Sequence, residues 1–167
     1  CKSCGMVKLT KKIKKENYSD FYENYYRELY RGYKKPSEDL FELEKYKAKR
    51  ILNFISKSIE LNKIKSCLDV GCGSGATSVY FSDYFKTTGI DLDPYNTFHS
   101  LKEKNNNLEI KNISIFDSYL DDKKYDFISY CHVLEHVYDI DKELERVHNL
   151  LSENGYLYVE LPGINKI

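Results

Sequence analysis

Two stretches of this 167-residue chain carry residue types at spacings that can do chemistry. The first is Leu68-Asp69-Val70-Gly71-Cys72-Gly73-Ser74-Gly75-Ala76. Its glycines allow backbone angles that a side chain forbids, and they let the main chain approach a ligand closely. A helix starting just after them would turn its unpaired N–H groups toward that ligand. Asp91 follows twenty residues after Gly71, the spacing of an acid that accepts from ribose hydroxyls. Taken alone, Gly71-x-Gly73-x-x-Ala76 also satisfies the relaxed dinucleotide fingerprint, and Asp91 would serve NAD equally well. Asp69 separates the two ligands. A carboxylate two places before the first glycine repels a pyrophosphate, whereas from an ammonium group it accepts a charge-assisted hydrogen bond. The loop therefore favours a cationic amino-acid ligand over a phosphate.

The second stretch is His132-Val-Leu-Glu135-His136. It fits the inverted zinc-protease pattern His-x-x-Glu-His, which requires these residues on one helical face and a further carboxylate ligand downstream. Thirty-one residues remain after His136, and Glu160 falls within an expected strand, so the protease reading is set aside. Histidine titrates near neutral pH, which makes His132 and His136 candidates for a general base. Histidines that merely fix a loop are an equal alternative. At the start of the chain, Cys1-Lys-Ser-Cys4-Gly5 has the spacing of half a zinc ribbon. A tetrahedral site needs four ligands and no second pair stands nearby, so two loose cysteines compete with that reading.

The elements that must position these residues follow from periodicity. Ser66–Val70, Thr87–Leu92, Leu108–Phe116, Tyr125–Cys131 and Gly155–Leu161 read as strands 1 to 5. A helix from the glycine turn to about Tyr84 follows strand 1. Another starts at Pro94 with Tyr95, Phe98 and Leu101 inward. A third is capped by Asp139 or Asp141 and carries the stripe Ile140, Leu144, Val147 and Leu151, ending at Asn154-Gly155 as a left-handed cap does. Strands alternating with helices imply parallel pairing and a sheet covered on both faces. Upstream, a helix from Pro36 to about Ile59 presents Ala48, Ile51, Leu52, Ile55 and Ile59 to the sheet. The tyrosine-rich stretch Tyr18–Tyr33 reads as helical and as a half-buried packing surface, with lining of a substrate entrance as the second reading. Residues 1–15 read as a basic terminus or half a zinc knuckle, 16–62 as a helical segment and 63–167 as the core.

Composition narrows the partners. The 26 basic and 26 acidic residues cancel, which argues against nucleic acid or a membrane surface as the main partner. The six lysines between Cys1 and Lys15, with no acid among them, read as a solvated terminus. No apolar run has the length of a membrane span. Cys67, Cys72 and Cys131 lie beside or within strand ends in a chain of five cysteines, which fits a reducing, cytoplasmic setting. The chain opens without an initiator methionine and stops just past a strand, as a piece of a longer protein would.

In its motifs and their order, Ser66 to Gly163 resembles the class I methyltransferases that use S-adenosylmethionine (SAM). Leu68–Gly75 resembles their first motif and Gly89-Ile-Asp-Leu-Asp-Pro94 their second. Phe116-Asp117 stands where the family holds adenine, Tyr125–Val137 resembles the fourth strand and its Leu-Glu-His segment, and Asn149–Gly155 the turn into strand 5. The resemblance implies an α/β, Rossmann-like parallel sheet, order 3-2-1-4-5, lacking the family's sixth and seventh strands. It implies SAM as cofactor, held by Asp69, Gly71, Cys72, Gly73, Gly75, Asp91, Leu92, Phe116, Asp117 and His132, and transfer of its methyl group to a small-molecule acceptor such as a sugar or a quinone-like metabolite. Some related enzymes carry an N-terminal zinc ribbon, which would make Cys1 and Cys4 structural zinc ligands in a longer protein. Binding of SAM without transfer is the alternative, and an NAD-dependent oxidoreductase the third.

Overall fold

The computed structural model describes residues 3, 14–32, 38–93 and 105–163. Five strands alternate with helices: β1 (Ser66–Val70), β2 (Lys86–Ile90), β3 (Leu108–Lys111), β4 (Tyr125–Cys131) and β5 (Leu151–Glu160). They form an all-parallel sheet in the order β3-β2-β1-β4-β5, as expected. The helices are α1 (Tyr18–Asp20), α2 (Tyr26–Arg31), α3 (Glu38–Ile55), α4 (Ala76–Ser82) and α5 (Ile140–Leu150). None among the described residues is long and apolar enough to cross a membrane.

Alternation along the strands sorts the core into two layers. Leu68, Val70, Ile90, Ile128 and Tyr130 face one way and pack with Val147 and Leu150 of α5. Cys67 and Phe127 face the other way, against Phe81 of α4 and Ala48, Ile51, Leu52 and Ile55 of α3. Of the apolar stripe expected of α3, Ala48, Ile51, Leu52 and Ile55 are buried, while the helix ends at Ile55 and leaves Ile59 beyond it. Fully burying each of the Val, Leu, Ile and Phe side chains in these two layers stabilises the fold by roughly 1.5–3 kcal/mol.

Several expected boundaries move. β2 stops at Ile90, where Asp91 turns toward the glycine loop. β3 is only four residues long. Downstream of it the Ile115 carbonyl accepts from Arg146 Nε of α5 at 3.0 Å, so a side chain satisfies it where a strand partner was expected. The inward stripe of α5 is also corrected. Ile140 and Leu144 are exposed, while Glu143, Val147 and Leu150 are buried. The reason is polar: Tyr130 Oη donates to Glu143 Oε1 at 2.9 Å across the helix–sheet contact, and a count of apolar residues cannot register a buried acid. The expected cap at Gly155 is absent as well. α5 ends at Leu150, β5 begins at once, and a register irregularity between Tyr125 and Phe127 takes up the extra residues. Gly155 is needed there for closeness, because a Cβ would lie 2.9 Å from the Tyr125 carbonyl oxygen. The helix expected from Pro94 lies outside the described residues.

Gly89 of β2 lies beside Asp69 of β1 in register, and α4 crosses directly above it. A Cβ at Gly89 would meet Ser78 Oγ at 2.5 Å and Ile110 Cδ1 at 2.7 Å. Gly89→Ala is therefore expected to destabilise the fold by about 1–3 kcal/mol through overpacking. Urea unfolding would register this as a lower midpoint with an unchanged slope.

Candidate functional site

The sheet's carboxyl edge opens into a cleft of about 1010 Å³, where open α/β sheets take their ligands. Its floor is the turn after β1. Gly71 and Gly73 adopt φ of +66° and +57°, angles that strain any residue with a side chain. Gly71 also sits so close to Val133 that a Cβ would collide with its methyl groups. Gly75, at φ +80°, precedes the first residue of α4. The Cys72 N–H donates to the Ile90 carbonyl at 3.0 Å, pinning the turn to β2.

Three carboxylates surround this turn. Asp69 is 2% exposed, and its two oxygens accept from Ser78 Oγ at 2.7 Å and Ser129 Oγ at 2.8 Å. Burial pushes its pKa up to about 6, against the opposing pull of the two hydroxyl bonds. Asp91 Oδ2 accepts from the Gly73 N–H and Oδ1 from the Asp93 N–H, each at 2.8 Å. From α3, Glu44 accepts a hydrogen bond from Ser74 Oγ. All three residues line the cleft. Their field attracts a cation and repels a phosphate.

The opposite wall is aromatic. Tyr18, Tyr22 and Tyr26 stack with ring centroids 4.8 and 4.9 Å apart, along a helical path whose middle, Phe21–Tyr25, is a wide π turn. Such turns occur often at functional sites. Tyr22 and Tyr26 grip His136, their hydroxyls 3.2 Å from Nδ1 and Nε2 respectively. Burial holds the His136 pKa below its usual value, against the opposing pull of the Glu135 carboxylate. A neutral imidazole has one donor and one acceptor, so one tyrosine donates to the ring while the other accepts. These tyrosines are thus the half-buried packing surface expected first on sequence grounds, and they also line the cleft.

His132 follows β4 with φ +58°, a left-handed conformation that is uncommon for a residue other than glycine. This break keeps His132 and His136 off a common helical face, so the protease geometry is missing. His132 Nε2 lies 3.2 Å from Glu160 Oε1, and Tyr158 Oη donates to Glu160 Oε2 at 2.9 Å.

Of the residues singled out from the sequence, Asp69, Gly71, Cys72, Gly73, Asp91, Leu92, Phe116, His132 and His136 line the cleft. Gly75 and Asp117 are not among its lining residues. The Asp117 carboxylate accepts from the Tyr119 N–H at 2.9 Å and caps the short turn over Ser118–Leu120. Cys1 and Cys4 lie outside the described residues. Among the described ones, no group of three or more His, Cys, Asp or Glu is placed to hold a metal ion. Cys67, Cys72 and Cys131 are free thiols.

Sequence reasoning missed Glu44, Glu160 and the contact of the tyrosines with His136. The four-residue spacing of Tyr18, Tyr22 and Tyr26 was a visible signal. Glu160 could have been found as an acid at the carboxyl end of a parallel strand. Nothing local distinguishes Glu44 from its neighbours.

A family model described as "Methyltransferase domain" matches residues 40–165. No curated protein matches the chain by sequence. Among solved structures, coclaurine N-methyltransferase bound to N-methylheliamine and SAH is similar with a TM-score of 0.61 and 23% identity, over 77% of this chain and 39% of that one. The plantazolicin methyltransferase BpumL, in complex with a pentazolic desmethylPZN analog and SAH, gives 0.56 and 23%, over 73% and 48%. An S-adenosylmethionine-dependent methyltransferase from Clostridium acetobutylicum gives 0.56 and 21%, over 84% and 56%. These are likenesses of fold, and the chain spans less than two thirds of each of those proteins.

Asp69 makes a pH prediction. Its pKa is about 6 in the fold against an ordinary 3.8, so its contribution to stability is full below pH 3.8 and lost as pH rises through 6. Asp69→Asn has no proton to lose and keeps the shape. Relative to the parent, its unfolding free energy is expected to rise by roughly 3 kcal/mol between pH 3.8 and 7. Urea unfolding of both proteins across that range measures it.

Proposed function

The chain belongs to the methyltransferase domain family, and from that premise we propose that it binds SAM and transfers its methyl group to a small-molecule acceptor. The observation that carries this reading is the ring of Glu44, Asp69 and Asp91 around a left-handed glycine turn. A pyrophosphate would meet three negative charges there. SAM brings an ammonium group and a sulfonium instead.

The residues present fit that ligand. Gly71 and Gly73 keep side chains out of the turn, so the main chain can approach a bound nucleoside. Asp91, already fixed by two backbone N–H groups, is oriented to accept from ribose hydroxyls. Leu92 and Phe116, both substantially exposed on the cleft, offer apolar faces to an adenine ring. Asp117 stands beside them, with one carboxylate oxygen accepting from the Tyr119 N–H. His132 borders the position for the methionine portion. The sulfonium supplies a methyl group already activated toward attack. The tasks left to the protein are to align the acceptor and exclude water.

The aromatic wall supports a small organic acceptor over a macromolecule. Coclaurine N-methyltransferase, bound to N-methylheliamine, is a fold relative of that kind. The free thiols support a reducing, cytoplasmic setting.

Calorimetry with SAM and NAD in parallel tests the reading. SAM is expected to bind and NAD is not, and Asp91→Ala should weaken SAM by at least about tenfold through loss of charged hydrogen bonds. Tight NAD binding without SAM binding would overturn the proposal. Incubation with labelled SAM and metabolite extracts then separates transfer from binding alone.

A further inference from the structure

We infer, resting on the methyltransfer reading above, that His132 is the group that takes the acceptor's proton, that Glu160 positions it, and that the acceptor is a phenolic hydroxyl.

The two histidines of the cleft differ in what their ring nitrogens have left to offer. His136 has both nitrogens within 3.2 Å of tyrosine hydroxyls. It serves as a clasp that holds the aromatic helix over the cleft. His132 has Nε2 turned to Glu160, while Nδ1 lies 3.8 Å from Glu135 Oε1, beyond hydrogen-bond reach. His132 therefore keeps one nitrogen for a substrate, on a residue that lines the cleft.

Glu160 is placed to orient that ring. The register of β4 and β5 sets Cys131 beside Glu160, and the His132 N–H donates to the Glu160 carbonyl at 2.9 Å. The same residue thus holds His132 by its main chain and faces the ring with its carboxylate. Tyr158 fixes the second carboxylate oxygen at 2.9 Å. A carboxylate behind an imidazole stabilises the imidazolium that forms on proton uptake, and it sets which nitrogen faces the substrate. The left-handed backbone at His132 is strained for a histidine and is kept at the mouth of the cleft, where strain accompanies function.

The class of acceptor follows from what surrounds this base. The stacked rings of Tyr18, Tyr22 and Tyr26 end at His136, which stands 3.9 Å from the same Glu135 carboxylate that flanks His132. Tyr22, Tyr26 and His132 line the same cleft, so an aromatic ring resting on the tyrosines shares it with His132. A hydroxyl oxygen needs a base, since it becomes a positively charged oxonium unless its proton leaves. In the step, the acceptor oxygen forms a bond to the methyl carbon, and the carbon–sulfur bond breaks with its pair on sulfur. The hydroxyl proton passes to His132 Nδ1. The products are a methyl ether, the neutral thioether S-adenosylhomocysteine and an imidazolium beside Glu160, which later releases its proton to water.

Catechol is the probe, and His132→Gly and Glu160→Gln are the variants. Glycine suits the left-handed backbone at position 132, so the fold is retained and a space opens for added imidazole. In the SAM-free wild-type chain, catechol is expected to shift the His132 ring resonances and leave those of exposed His148 unmoved. At saturating SAM, His132→Gly is expected to lower methyl transfer to catechol by about 10²–10⁴-fold, with partial recovery on adding imidazole. Glu160→Gln is expected to lower kcat by about fivefold and to leave KM for catechol unchanged. A wild-type chain that binds SAM but neither binds nor methylates catechol overturns the inference, as does transfer to benzylamine alone or a His132→Gly variant of wild-type rate. Failure to bind SAM at all sinks the methyltransfer reading instead.

Discussion

Everything in the cofactor half of the cleft hangs on one buried carboxylate. Asp69 lies near the end of a central strand and accepts from a hydroxyl on α4 and a hydroxyl on β4. It thereby ties together the strand before the glycine turn, the helix after it and the neighbouring strand, which ends just before His132. Gly89, its neighbour on the other side, has no side chain, so α4 can descend far enough for Ser78 to reach it. Burial makes the charge of Asp69 costly, as its raised pKa records. That same property favours a cationic ligand nearby, because an added positive charge relieves an uncomfortable negative one.

The other half of the cleft is organised by histidine chemistry of two kinds. His136 is half-buried and held in its uncharged form by that burial, its ring gripped between two tyrosines of the N-terminal helix. His132 is more exposed and faces carboxylates. Four residues apart in sequence, they have different surroundings because the left-handed turn at His132 sends the chain off in a new direction.

Much of the fold was legible in the chain. Short apolar runs separated by helical stripes specify a parallel α/β sheet, and the resemblance to class I methyltransferases implied its strand order. The glycine turn and Asp91 were legible too, because their physical demands are local. Left-handed angles need glycine, and an acid at the end of the next strand returns to the turn by geometry alone. Two of the errors share one cause. The inward face of α5 was misjudged because Glu143 buries itself against Tyr130, and β3 was drawn too long because Arg146 takes the Ile115 carbonyl. In both places a polar pairing between distant residues overrode a local pattern.

What the sequence by itself determined, then, is the sheet, the turn after β1 and the acidic residues on either side of it, since periodicity and backbone angle are properties of neighbouring residues. Tertiary structure alone decided which acids and aromatics share the cleft. Glu44 reaches the turn from α3, Glu160 meets His132 through strand register, and two tyrosines near the start of the chain close on a histidine more than a hundred positions away. Such meetings depend on how helices dock on the sheet, and docking is set by packing over the whole core.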